Sequence, residues 1–245
     1  MPATAMNRVE HIMGLPISIS VDGFDDAQDD AFAWLREVDE RFSPFKPGSE
    51  VSRYDRGELA LEEMSDELGM ILALCAHYEQ LSGGAFSARP LGRNFDPCGV
   101  VKGWAVQRAA DILRAAGATR FCLNAGGDVV TAGEAAPGRP WRVGVRHPDQ
   151  PDVLCCVLAS RDGAVATSAS YERGSHIVDG RTGMAASGLA SVTVVSPDLT
   201  SADALATAIF AMGRDGIAWA AEQDCEVFIV DADRKVHRSA GLRLA

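Results

Sequence analysis

Asp203 and Thr207 stand four residues apart in a stretch, 202–212, whose spacing predicts a helix, so both side chains fall on one face. A carboxylate, a hydroxyl and backbone carbonyls form the all-oxygen donor set that Mg2+ prefers. Taken alone, the pair equally describes a helix with an acidic first turn and an incidental threonine. A second group is Asp96-Pro97-Cys98-Gly99-Val100-Val101-Lys102-Gly103. Asp96-Pro97 by itself fits an N-cap followed by the proline that the first helical position tolerates. Gly99 adds a place where backbone can approach a ligand, and Lys102 adds positive charge near a helix start, where phosphates bind. His176 carries an imidazole able to take a proton near neutral pH, although a lone strand histidine is ordinarily structural. Asn124-Ala125-Gly126-Gly127-Asp128 reads as a tight turn between two strands.

These groups must be held by a definite set of elements. Residues 17–21 alternate apolar and polar, which predicts a half-buried strand, and 25–42 repeat apolar residues at helical spacing behind an acidic first turn. The interval 43–57, with Pro44, Pro47, Gly48 and Gly57, predicts a loop. Further helices are predicted at 66–81, closed by Gly83-Gly84, and at 102–116, ended by Gly117. Strands follow at 121–124, 129–131, 141–146, 153–158, 164–167, 176–178 and 192–195. Two helices at 202–212 and 215–222 and a strand at 227–230 close the chain. Helices early and late around a block of strands predict an α+β fold, a mixed or antiparallel sheet core with flanking helices, in a single domain over 1–245. No G-x-G-x-x-G follows a strand and no P-loop motif occurs, which argues against the common dinucleotide and P-loop folds.

The net charge of -11 argues against a broad basic surface for nucleic acid. Six cysteines without C-x-x-C spacing point to a reducing compartment rather than a disulfide framework. Residues 1–8 show neither an apolar core with a cleavage site nor a cysteine to carry a lipid, and no segment approaches the ~20 apolar residues of a membrane span. The expectation is a cytoplasmic protein with no membrane anchor.

Together, the octapeptide at Asp96, the Asn124–Asp128 turn, the box His176-Ile177-Val178-Asp179-Gly180-Arg181-Thr182-Gly183 and the run around Asp203 and Thr207 resemble the signature of the FAD:protein FMN transferase, or ApbE, family. The resemblance runs from Met13 to Gly213. It implies an ApbE-like fold, Mg2+ as cofactor, and FAD as a substrate that is split. Gly99 through its carbonyl, Asp203 and Thr207 would be the metal ligands. Met13, Phe45, Ala85, Phe86, Ser87, Asp96, Lys102 and Val178 would line the flavin nucleotide, with His176 as base and Asp179 orienting it or serving in its place. Ser87 replaces an acid usual in the family, and Ala206 stands where some relatives carry a second acid. Only nine residues separate Phe86 from Asp96, where relatives usually have several dozen.

The implied reaction is Mg2+-dependent transfer of FMN from FAD to a Thr or Ser hydroxyl in the flavinylation motif of an acceptor protein, with AMP released. Hydrolysis of FAD to FMN and AMP stands as an alternative if the short 87–95 interval admits water. Storage or delivery of flavin without turnover stands as another.

Overall fold

The computed structural model describes residues 6–170 and 177–245. The chain opens on a hairpin, β1 (Met6–Ile12) and β2 (Leu15–Val21), whose two-residue turn places Met13 and Gly14 at positive φ. Helix α1 (Asp25–Phe42) follows, with Ala27, Ala31, Leu35, Val38 and Phe42 on its buried side. Next come a short α2 (Glu50–Asp55), α3 (Asp66–Leu81) and α4 (Cys98–Ala115). Strands β3 (Phe121–Ala125), β4 (Asp128–Ala132), β5 (Trp141–Arg146), β6 (Leu154–Ser160), β7 (Gly163–Ala169) and β8 (Leu189–Ser196) form the middle of the chain. Helices α5 (Leu199–Met212) and α6 (Asp215–Ala220) precede the closing strands β9 (Glu226–Asp231) and β10 (Val236–Arg238).

The main sheet has eight strands in the order β1-β2-β3-β4-β7-β8-β9-β10, each antiparallel to its neighbours, and β5 and β6 pair as a separate hairpin. The α+β expectation holds. Side chains alternate across a strand, so each strand sorts its residues into two cores. Val130, Ala164, Ala166, Val192, Val194, Val227 and Ile229 join the helices on one face. Val129, Val165, Phe228 and Val230 meet Val143, Val145 and Leu158 of the hairpin on the other.

Four helices fix the helical face. The Trp34 indole donates from α1 to the Ala105 carbonyl of α4 at 3.0 Å, and its ring meets Trp104 edge to face. Tyr78 ties α3 to Ser201 of α5 through a 3.2 Å hydrogen bond. Asp198 caps α5 by accepting from the Ser201 amide.

Several boundaries differ from the sequence reading. The 43–57 interval contains α2, because Ser49 caps it by accepting from the Ser52 amide and Val51 is buried despite the flanking prolines. Helix α4 starts at Cys98 rather than Lys102. Its N-cap position is Pro97, one residue later than expected, and Asp96 accepts from the Cys98 amide at 2.9 Å. Strand β1 went unpredicted, since Arg8, Glu10 and His11 dilute its alternation. Val178 forms an isolated bridge with Ala185 rather than a strand, and His176 lies outside the described residues. No helix among the described residues is long and apolar enough to cross a membrane.

Candidate active site

Helices α4 and α5 cross at very short range because α4 presents Gly99 and Gly103, one turn apart, to Leu199, Asp203 and Thr207 of α5. A Cβ on Gly103 would lie 2.6 Å from the Leu199 carbonyl oxygen and 2.7 Å from Asp203 Cβ. One on Gly99 would lie 2.9 Å from the Phe86 ring and 3.3 Å from Thr207 Cγ2. Only hydrogen fits at these places, so the glycines bring the α4 backbone onto the carboxylate and hydroxyl of α5.

Asp203 is 3 % exposed. Its Oδ2 accepts from the Gly103 amide at 2.9 Å, and its Oδ1 lies 3.4 Å from Lys102 Nζ. In an unbroken helix the Gly103 amide pairs with the Gly99 carbonyl; here Asp203 draws on that donor. Burial pushes the Asp203 carboxyl up to about 7, and the nearby charge of Asp128 adds to the rise, while Lys102 and the Gly103 amide oppose it.

Asp128 completes the charged group from the sheet. It shares a face with Val130, toward the helices, and is 1 % exposed. Its Oδ1 accepts from the Thr167 amide at 3.1 Å, and its Oδ2 lies 2.7 Å from Lys102 Nζ. That contact is an ion pair of poor direction, and no well-aligned hydrogen bond reaches Oδ2 among the described residues. Opposite, Thr207 Oγ1 lies 3.3 Å from Ser168 Oγ, on the same face of β7 as Ala164 and Ala166.

A second assembly borders this one. Ala85 and Phe86 are buried, and the Ala85 carbonyl accepts from the Gly180 amide at 2.9 Å. A Cβ on Gly180 would lie 2.4 Å from the Gly84 carbonyl oxygen, and one on Gly183 equally close to that of Leu91, so the 177–186 loop rests flat on 84–91. The short 87–95 interval is itself anchored. Asp96 donates its amide to the Ala88 carbonyl at 2.7 Å, the Phe95 amide donates to Asp55 Oδ1 at 3.0 Å, Arg89 pairs with Asp55 at 2.7 Å, and the buried Phe95 ring meets Tyr54.

The structure thus gathers Gly99, Lys102, Asp203, Thr207 and Phe86, with Ala85 and Val178 at the border. Met13 sits at the sheet end where Leu15 packs beside Gly126 of the Asn124–Asp128 turn. Ser87 donates to Glu79 and accepts from the Arg89 amide, so its hydroxyl braces the loop. Asp179 is gripped by both the Nε and the Nη2 of Arg181, at 2.8 and 2.7 Å, which holds its carboxyl below the usual range. Asp96 is exposed beside the start of α4. Phe45 stands apart on the loop before α2, 77 % exposed. Sequence reasoning placed the Asn124–Asp128 turn beside the site without giving Asp128 a task. It missed Ser168, whose signal was the small-residue alternation Ala164, Ala166, Ser168 facing a close helix.

The ApbE family model matches residues 13–92 and 88–229. The FAD:protein FMN transferase of Vibrio cholerae is 33% identical over 143 residues, 54% of this chain and 42% of that protein. That of Rhodobacter capsulatus is 38% identical over 122 residues, 46% of this chain and 23% of that protein. The chain therefore matches less than half the length of these two relatives. Among solved structures, the flavin transferase ApbE from Vibrio cholerae aligns at a TM-score of 0.83 and 24% identity over 98% of both chains, a likeness of fold. The ApbE protein from Thermotoga maritima aligns at 0.84 and 25% identity, over 96% of this chain and 97% of that one.

Proposed function

The chain belongs to the ApbE family, and from that premise we propose that it transfers FMN from FAD to a Thr or Ser hydroxyl of an acceptor protein, with Mg2+ required and AMP released. The observation that carries this reading is the buried Asp203, one helical turn from Thr207, pressed against Gly99, Gly103 and Lys102 of the facing helix. An acid held in so little water ionises fully only beside positive charge, and FAD brings a diphosphate that needs the same.

The residues suit Mg2+. The donors are oxygens, and the buried Asp128 Oδ2 lacks a well-aligned hydrogen bond among the described residues. Those residues hold no cluster of three His, Cys, Asp or Glu side chains, so binding would lean on a hydroxyl, a backbone carbonyl and substrate phosphate as well as a carboxylate. Asp203, Thr207 and the Gly99 carbonyl would hold the ion, which would draw charge off the phosphates of FAD.

The rest is the work of this chain's own groups. Lys102, at the solvent boundary of the niche, would reach the phosphates of bound FAD, and Phe86 walls the site behind Gly99. His176 is assigned as the base that takes the proton of the acceptor hydroxyl as its oxygen attacks the flavin-side phosphorus. The bridging P–O bond breaks toward AMP, and a phosphoester joins FMN to the acceptor. Asp179, committed to Arg181, is better suited to shaping the 177–186 loop than to removing a proton. The six cysteines, none of them in a disulfide among the described residues, support a reducing, cytoplasmic setting.

The test is to incubate the protein with FAD, Mg2+ and a Thr-bearing acceptor while following acceptor mass and free FMN. A covalent adduct lost in Asp203→Ala is the expected result. Free FMN with no adduct would point to hydrolysis, and neither product at any Mg2+ concentration would refute both enzyme readings.

A further inference from the structure

The chain has only three lysines, Lys46, Lys102 and Lys235, against twenty arginines. Lys46 pairs with Asp39 and Glu40 near the surface. Lys102 instead reaches two almost fully buried carboxylates from different elements, Asp128 of β4 at 2.7 Å and Asp203 of α5 at 3.4 Å. Its own side chain is 26% exposed, so the ammonium sits at the boundary between this niche and solvent. Two acids thus share one ammonium where water is scarce. A divalent cation on Asp203 would stand within a few ångströms of the ammonium, and like charges that close repel strongly when poorly screened.

We propose that Lys102 is a tethered counter-ion: its ammonium and the divalent cation compete for Asp203, and Asp128 is the positioning residue that keeps the ammonium within reach. The placement of Asp128 supports this role. The Thr167 amide fixes one of its oxygens, and the other faces Lys102. When the cation takes Asp203, the flexible lysine stem swings outward, toward the phosphates of the substrate. The inference rests on the metal reading given above and adds that cation binding requires the lysine to move.

Mn2+ binding without nucleotide, followed by calorimetric titration, tests it on the wild type, Lys102→Met and Asp203→Asn. Lys102→Met should bind Mn2+ roughly tenfold more tightly than the wild type, or better, and Asp203→Asn should not bind. Equal or weaker affinity in Lys102→Met, with binding still dependent on Asp203, overturns the competition and leaves the metal site standing. No Asp203-dependent binding in any of the proteins overturns both. Should Lys102→Met fail to fold, the wild type still decides the matter. With three lysines, mass spectrometry reads the acylation rate of each, and saturating Mn2+ should raise that of Lys102 several-fold while Lys46 and Lys235 stay unchanged. A Lys102 rate indifferent to Mn2+ overturns the proposal.

Discussion

Gly103→Ala should destabilise the protein, whereas the same substitution at Gly69 should stabilise it. Both glycines lie inside helices, where alanine gains about 1 kcal/mol in propensity. At Gly69 in α3 nothing lies within 4 Å of the added methyl, so the gain is expressed as about 0.4–1 kcal/mol. At Gly103 the methyl would sit 2.6 Å from the Leu199 carbonyl oxygen and 2.7 Å from Asp203 Cβ, and both are backbone or anchored to it. The helices must part, which costs about 1–3 kcal/mol by overpacking. The Gly103–Asp203 hydrogen bond, to a charged or partly charged group, stretches and forfeits a further ~1–2 kcal/mol. Setting the propensity gain against these losses leaves a net cost of about 1–4 kcal/mol, or a fall in Tm of roughly 2–16 °C for a chain of this size. Thermal unfolding by circular dichroism measures both variants, and FMN transfer well below Tm measures the site. Gly103→Ala should also lose at least about 90% of its activity, since the proposed metal ligands and the lysine shift together. A Gly103→Ala protein as stable and active as the wild type would refute the close crossing of α4 and α5 from which the site was built.

Other outcomes follow from the same contacts. Phe95→Ala should cost about 3 kcal/mol by urea denaturation and raise the KM for FAD, because the segment under the 177–186 loop loses its anchor against Tyr54. Asp203 has a raised pKa in the folded state, so its contribution is fully present below the unfolded carboxylate value and is lost as pH rises through about 7. Stability in EDTA should therefore fall between about pH 4 and pH 7 more steeply for the wild type than for Asp203→Asn, and Mg2+ should flatten the wild-type slope. The pH dependence of Asp231 has the opposite sign. His237 and the Lys235 and Asp233 amides hold its carboxyl low, so it stabilises the fold above the unfolded carboxylate range and is lost as pH falls through its depressed value. Asp231→Asn should remove part of the acid transition seen in denaturation profiles.

Much of the fold was legible because burial imposes a period. Helices α1 and α3 match their predicted limits at 25–42 and 66–81, since each has a one-sided apolar stripe and a clear terminal signal. Elements without a clean periodic stripe of their own were not legible. Strand β1 is defined by its pairing with β2, and α2 is a six-residue helix between flanking prolines and glycines that advertise a loop. In the site, Asp203 and Thr207 could be placed on one face from spacing alone. That Gly99 and Gly103 would touch that face depends on how two helices cross, which no local pattern contains. Asp128 shows the same limit, because a residue ending a Gly-Gly turn reads as turn chemistry until the strand beyond it is known to face a lysine.

The 2.7 Å bond between the Asp96 amide and the Ala88 carbonyl has a consequence for lineage and engineering. It closes the base of a small excursion whose tip, residues 91–94, is exposed, while both of its shoulders are independently pinned. The tip is thus a port: chain inserted there starts and ends at two points already side by side. Each doubling of such an excursion costs only about 0.6 kcal/mol in closure entropy. Lineages could lengthen or trim it without disturbing the helix crossing beneath, and a segment grafted from a longer relative should be tolerated at residues 92–94 before anywhere else around the site.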